Sequence, residues 1–85
     1  MVKVEIWGKP QCPFCDRAKS LCEKLQLEYE YKQLGIDFDR EQIMENFPGA
    51  RTFPQIRISG KTIGGYQQLA EYIEQTNFNG TGLTL

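Results

Sequence analysis

Cys12 and Cys15 stand two residues apart in the stretch GKPQCPFCDRAKSLCEKL, which begins at Gly8. Such a pair can ligate a metal, staple the backbone or exchange electrons. Structural zinc takes four Cys or His ligands. The chain has no histidine, its third cysteine, Cys22, lies further along the same predicted helix, and a second C-x-x-C is absent, so no metal site is expected within one chain. A cluster bridged between two chains and completed by external thiols stays open on this count. A permanent staple is a weak reading, because closing so short a loop removes little entropy from the unfolded chain. Electron exchange fits the neighbourhood best. Pro13 suits the first turn of a helix, where its missing N–H costs little. Cys12 then falls where unpaired N–H groups and the helix dipole favour a thiolate, with the positive charge of Lys9 nearby. Cys12 reads as the nucleophile, and Cys15, one turn inside and more buried, as the resolving thiol.

The rest of the chain bounds the setting. Eighty-five residues make a single domain over 1–85, with an expected core at 2–76 and a tail at 77–85. A chain this short hides only about 60% of the surface its unfolded form exposes. Ten Lys and Arg against eleven Asp and Glu leave no basic stripe, so neither nucleic acid nor an anionic membrane is expected as the main partner. The apolar runs are too short to span a bilayer, and "MVKVEIWG" reads as a strand, without the apolar stretch of a secretion signal. The chain is expected in the cytoplasm, where thiols are kept reduced and a close cysteine pair is more often catalytic or metal-binding than structural. An odd count of three cysteines also argues against a disulfide framework.

The elements that position the pair follow from periodicity. Val2, Val4 and Ile6 alternate with Lys3, Glu5 and Trp7, a strand over 2–7. From Pro13 onward Phe14, Ala18, Leu21, Cys22 and Leu25 recur at helical spacing, with Asp16, Arg17, Lys19, Glu23 and Lys24 facing away. "LEYEYKQL" (27–34) predicts a second strand. Asp39 with Gln42 three residues on resembles a capping box opening a short helix that carries Ile43, Met44 and Phe47. Ile56 and Ile58, a Ser59-Gly60 turn, and 61–63 predict an antiparallel hairpin, and Tyr66, Leu69, Ala70 and Ile73 a last helix to about Thr76. The first two strands and their helix read as a βαβ unit, beside which C-x-x-C is the sign of a thioredoxin-like redox site. Cys22, on the apolar face, reads as core filler before any secondary oxidation site, and Trp7 as packing before recognition.

Three motifs together resemble one family. "CPFC" is similar to the C-P-[YF]-C site of dithiol glutaredoxins, "TFPQI" (52–56) to their T-V-P-Q-I segment, and "IGGY" (63–66) to their G-G-[YFC] turn. Spacing and element order match over residues 2 to about 75, with the small bacterial and phage members looking most alike. The resemblance implies an α/β thioredoxin fold, β-α-β-α-β-β-α, with a four-stranded mixed sheet, helices on both faces and Pro54 in the cis form facing the cysteine pair. It implies a glutathione-dependent thiol–disulfide oxidoreductase that reduces protein disulfides and glutathione mixed disulfides through Cys12 and Cys15. Glutathione is then a co-substrate, with no tightly bound cofactor, no metal and a monomeric chain. Ribonucleotide reductase is one client the resemblance suggests, although no residue here selects it.

Carried over by position, Lys9 and Phe14 lie beside the active-site sulfur, Thr52 and Phe53 hold the tripeptide backbone of glutathione, with the Phe53 N–H and C=O beside cis Pro54 clamping its cysteinyl part, and Gly65, Tyr66 and Gln67 face its γ-glutamyl end. Gly64-Gly65 independently allows close backbone approach, and the helix behind it presents N–H groups to a carboxylate; the plainer alternative is a turn and a cap with Tyr66 in the core. Arg51 has no counterpart in the motif and reads as an exposed charge, with attraction of an anionic substrate as the functional alternative. Two rival roles use the same fold. Members reduced by thioredoxin reductase carry a different turn from Gly-Gly-Tyr, and members known for iron–sulfur clusters usually carry C-G-F-S where this chain has the stiffening Pro13.

The sequence departs from the family at the γ-glutamyl end. Many glutaredoxins place Asp in the two positions after the Gly-Gly-X turn; here both are amides, Gln67 and Gln68. An amide oxygen accepts a hydrogen bond without the strength that charge adds. Gln67→Asp is expected to lower the KM for a glutathione mixed disulfide, and an unchanged or higher KM would remove Gln67 from that contact.

Overall fold

The computed structural model describes residues 3–76, and the expectations placed on Val2 and on 77–85 lie outside the described residues. Strand β1 (Val4–Gly8) has apolar side chains on both faces: Val4 and Ile6 point one way and Trp7 the other. A strand of this kind belongs at the centre of a sheet covered on both sides. It pairs in parallel with β2 (Tyr29–Gln33) and antiparallel with β3 (Gln55–Ile58), which pairs antiparallel with β4 (Lys61–Gly64). The order across the sheet is β2-β1-β3-β4. Helix α1 (Pro13–Lys24) makes the crossover between the parallel strands, α2 (Arg40–Asn46) lies between β2 and β3, and α3 (Tyr66–Thr76) follows β4. This is the element order and the mixed four-stranded sheet that the sequence led us to expect.

Two cores result. On one face Val4, Ile6, Ile56 and Ile58 pack with Ala18 and Cys22 of α1, Leu69 of α3 and Leu27. On the other Trp7 packs with Phe38, Phe47 and Ile43 of α2. The second core is aromatic: the Trp7 ring centroid lies 4.7 Å from that of Phe38 and 5.4 Å from that of Phe47. The Arg57 guanidinium covers Trp7 and Phe47 at 5.7 and 5.3 Å from their centroids, while its Nε donates to Glu5 Oε2 across β1 and β3 at 2.5 Å. Charge and stem together thus close the edge of an apolar cluster.

The element boundaries differ from expectation in three places. The first strand runs on to Gly8, because the Gly8 carbonyl still accepts from Leu34 N–H at 2.9 Å. The second begins only at Tyr29; Leu27 is buried before it as a core residue, and Leu34 forms an isolated bridge to Phe38. The buried stripe of α1 is Cys15, Ala18 and Cys22, with Phe14 at 52% and Leu25 at 42% exposure. Spacing of i, i+3, i+7 explains this: Phe14 is one position off the stripe, and Leu25 is already the C-cap. The hairpin is as expected, with φ of 51° at Ser59 and 79° at Gly60, the left-handed pair that a tight two-residue turn requires.

The capping box at α2 is complete. Asp39 Oδ1 accepts from Gln42 N–H and Gln42 Oε1 accepts from Asp39 N–H, each at 2.9 Å. Asp39→Ala is expected to destabilise the protein by about 1 kcal/mol in urea unfolding, and Asp39→Asn by much less.

Candidate active site

Helix α1 starts at the cysteine pair because Pro10-Gln11 turns the chain out of β1. Gln11 takes φ of 57°, a left-handed conformation for which nothing in the sequence prepared. Cys12 is then the N-cap of α1, with extended backbone at φ −118° and ψ 102°, and Pro13 follows at N1. Its Sγ accepts from Cys15 N–H at 3.1 Å and its carbonyl from Asp16 N–H at 3.1 Å. Sulfur thus occupies the place that a Ser or Asp oxygen fills at an ordinary helix start. The two cysteines are joined in a disulfide with Cα atoms 5.2 Å apart. Cys12 is 6% exposed and Cys15 is fully buried, so the outer sulfur is the one that a substrate can reach.

The Phe53–Pro54 peptide is cis, as the resemblance implied. Among the described residues the Phe53 amide and carbonyl have no backbone partner, because β3 begins two residues later. The Thr52 carbonyl accepts from Gln55 Nε2 at 2.8 Å, which fixes the loop from within. Lys9 Nζ lies 5.7 Å from the Phe53 ring centroid, and the Phe53 ring stacks at 6.4 Å on Phe38 of the aromatic core. Lys9, Thr52 and Phe53 line one groove of about 490 Å³ together with Arg51 and with residues of α2.

Gly64 and Gly65 form the other wall. Gly64 has φ of +123°, and a Cβ there would meet Gln68 Cγ at 2.9 Å, so geometry alone demands glycine. Gln68 Oε1 accepts from Gly65 N–H at 3.0 Å and so caps α3. Gly65, Thr52 and Arg51 border a second, more open depression of about 750 Å³.

Not every expected residue joins these walls. The Gln67 amide points along α3 to Glu71 Oε1 at 3.4 Å on an exposed face. The Tyr66 ring, half-buried, packs on the α1/α3 core and lies 6.1 Å from Phe14, bordering a shallow surface with Asp16, Arg17 and Lys24. Its backbone, rather than its ring, is what it offers beside Gly65. Phe14 is exposed next to the disulfide, with the Arg17 guanidinium 5.2 Å from its ring centroid. Sequence reasoning missed Gln55 and Gln68. For Gln68 a signal existed: it stands three residues after Gly65, the spacing at which a glutamine reaches back to a helix start. Among the described residues no group of three or more His, Cys, Asp or Glu could hold a metal ion.

A glutaredoxin family model matches residues 4–63, which contain the whole sheet except the last residue of β4. The chain belongs to the glutaredoxin family. It is similar to a probable glutaredoxin of Synechocystis, 43% identical over 68 residues that cover 79% of this chain and 62% of that protein. It is similar also to glutaredoxin 1 of Escherichia coli, 32% identical over 77 residues covering 82% and 91%. The chain spans only 28% of a hybrid peroxiredoxin of Haemophilus influenzae to which it is 39% identical. Among solved structures, reduced E. coli glutaredoxin superposes with a TM-score of 0.74 at 31% identity, covering 88% of this chain and 96% of that one. A buckwheat glutaredoxin in complex with glutathione does so with a TM-score of 0.65 at 26% identity, covering 85% and 68%.

In this glutaredoxin chain the third cysteine stands apart from the redox pair. Cys22 is a free thiol, fully buried between α1 and the sheet, and burial, with a smaller contribution from Glu23, pushes it up from 9.0 to about 11. Packing is its evident role. Between those two values the unfolded chain sheds this proton while the folded chain keeps it, so stability falls as pH rises. With the Cys12–Cys15 pair oxidised, urea titrations from pH 9 to 11 are expected to show a progressive loss of stability with rising pH that Cys22→Ala lacks.

Proposed function

We propose that the chain is a glutathione-dependent thiol–disulfide oxidoreductase working through Cys12 and Cys15 in the cytoplasm as a monomer. The observation that carries this reading is Cys12 Sγ at the N-cap of α1, accepting from Cys15 N–H. The same donor and the same dipole stand ready for a thiolate when the disulfide opens. The reduced Cys12 thiolate attacks a client disulfide, forming a mixed disulfide and releasing one client thiolate. Cys15, as thiolate, attacks the Cys12 sulfur, which frees the second client thiol and leaves the Cys12–Cys15 disulfide. One glutathione thiolate then attacks Cys12 and releases Cys15. A second takes the glutathionyl sulfur, giving glutathione disulfide and the dithiol, so two electrons pass from two glutathiones to the client. A glutathione–protein mixed disulfide needs Cys12 alone.

Several features support glutathione as the reductant. The unpartnered Phe53 backbone, beside the cis peptide, suits an extended cysteinyl residue added like a short strand. Lys9, in the groove floored by Phe53, suits the glycine carboxylate. Gln68 already occupies Gly65 N–H, which leaves the next N–H groups of α3 to take the γ-glutamyl carboxylate. The relative solved with glutathione bound shares the fold.

The test is turnover of a glutathione mixed disulfide and of a protein disulfide with glutathione, glutathione reductase and NADPH. Cys12→Ser is expected to abolish both activities. Cys15→Ser is expected to keep the first within a few-fold and to lose the second. Activity in Cys12→Ser, or NADPH oxidation by wild type no faster than the blank, overturns the reading.

A further inference from the structure

The groove lined by Lys9, Thr52 and Phe53 carries more positive charge than one tripeptide needs. Three cations line it, Lys9, Arg40 and Arg51, and no acidic residue does, although acids outnumber bases in the chain by eleven to ten. Among the described residues none of the three forms an ion pair. The acids on the approach to α2, Asp37 and Asp39, do not line the groove, and each gives a carboxylate oxygen to a backbone N–H. Asp37 Oδ2 accepts from Gln33 N–H at 2.8 Å, and Asp39 Oδ1 is spent on the capping box. Between the cations the floor is apolar: Leu34, Ile43 and Met44, the last 54% exposed. Helix α2 therefore offers, in the same groove as Thr52 and Phe53, a surface with free positive charge and a hydrophobic seat.

On the oxidoreductase reading, Lys9 and the Phe53 backbone are occupied by glutathione, which leaves Arg40, Arg51 and the Met44 seat without an assigned ligand. We infer that this part of the groove docks an acidic segment of the client protein, next to the client's reactive cysteine, with carboxylates on Arg40 and Arg51 and one apolar side chain on Met44. Charge complementarity selects this occupant: a neutral or basic segment leaves both guanidinium groups without partners beside an apolar surface. The contacts are solvent-exposed, so each adds modestly, and salt weakens them. Selection among clients, rather than the electron transfer itself, is what they govern.

The experiment compares two synthetic peptides with the same internal disulfide, one carrying three Glu and a Leu beside it, the other three Gln and the Leu. Wild type is expected to show a KM about 5-fold lower for the acidic peptide, shrinking below about 2-fold in 1 M NaCl. Arg40→Gln/Arg51→Gln is expected to erase the preference, and Arg40→Lys/Arg51→Lys to retain most of it. Both variants should turn over the mixed disulfide of glutathione and 2-mercaptoethanol within about 2-fold of wild type. Equal KM values for the two peptides with wild type overturn the proposal without recourse to any variant. So does an equal loss of the small mixed disulfide in the glutamine variant, which would assign the arginines to glutathione. If wild type turns over the small mixed disulfide no faster than the blank, the oxidoreductase reading itself falls, a result distinct from either.

Discussion

A sulfur atom caps a helix, and the site is organised around that contact. The first N–H groups of any helix need acceptors from outside it. At α1 one of them, Cys15 N–H, is met by Cys12 Sγ at 3.1 Å. A thiolate in that place is held by a donor that does not have to be recruited, and the second cysteine of the pair is itself the residue that donates. Spacing of the pair is therefore fixed twice over, by disulfide reach, with Cα atoms 5.2 Å apart, and by cap geometry. Pro13 at N1 completes the start without adding an N–H to satisfy.

The sheet delivers this cap to the loops it must meet. β1 leads into α1 and pairs with β3, whose leading loop holds the cis Phe53–Pro54 peptide, so the redox pair and the Phe53 backbone belong to neighbouring strands. β3 passes by a two-residue turn into β4, which ends at the Gly64-Gly65 corner and the start of α3. Lys9 and Cys12 lie far in sequence from Phe53 and Gly65, and four short strands bring their elements to one end of the molecule. The aromatic core under α2 supports the same end through the stacking of Phe38 on Phe53.

Features that depend on a few adjacent residues were legible in the sequence. The C-x-x-C pair, the proline-led start of α1, the Asp39–Gln42 capping box and the Ser59-Gly60 turn each state their geometry locally, and the structure contains all of them. The cis proline came only with the resemblance, since nothing local separates it from an ordinary trans proline before a strand. Side-chain direction was less readable. Phe14 and Leu25 are apolar and near helical phase, yet only the contacts of α1 with the sheet show that the buried stripe is Cys15, Ala18 and Cys22. Likewise two glutamines follow Gly65 and Tyr66, but which one turns back to the Gly65 N–H depends on how β4 enters α3. The cationic groove was illegible for a related reason: Lys9, Arg40 and Arg51 come from three separate loops and helix ends, and neither Arg40 nor Arg51 belonged to a motif.

Trp7 is the chain's sole tryptophan, and it sits 5% exposed in the aromatic core, its indole N–H without an acceptor among the described residues and Lys32 Nζ 4.8 Å from its ring centroid. The four tyrosines, by contrast, include Tyr29, Tyr31, Tyr66 and Tyr72, all packed against the opposite core. Nature has thereby labelled the two sides of the sheet with different chromophores. Indole emission reports the α2 side, phenol absorption the α1/α3 side, and loosening of one layer before the other becomes visible in an unmodified sample by optics alone.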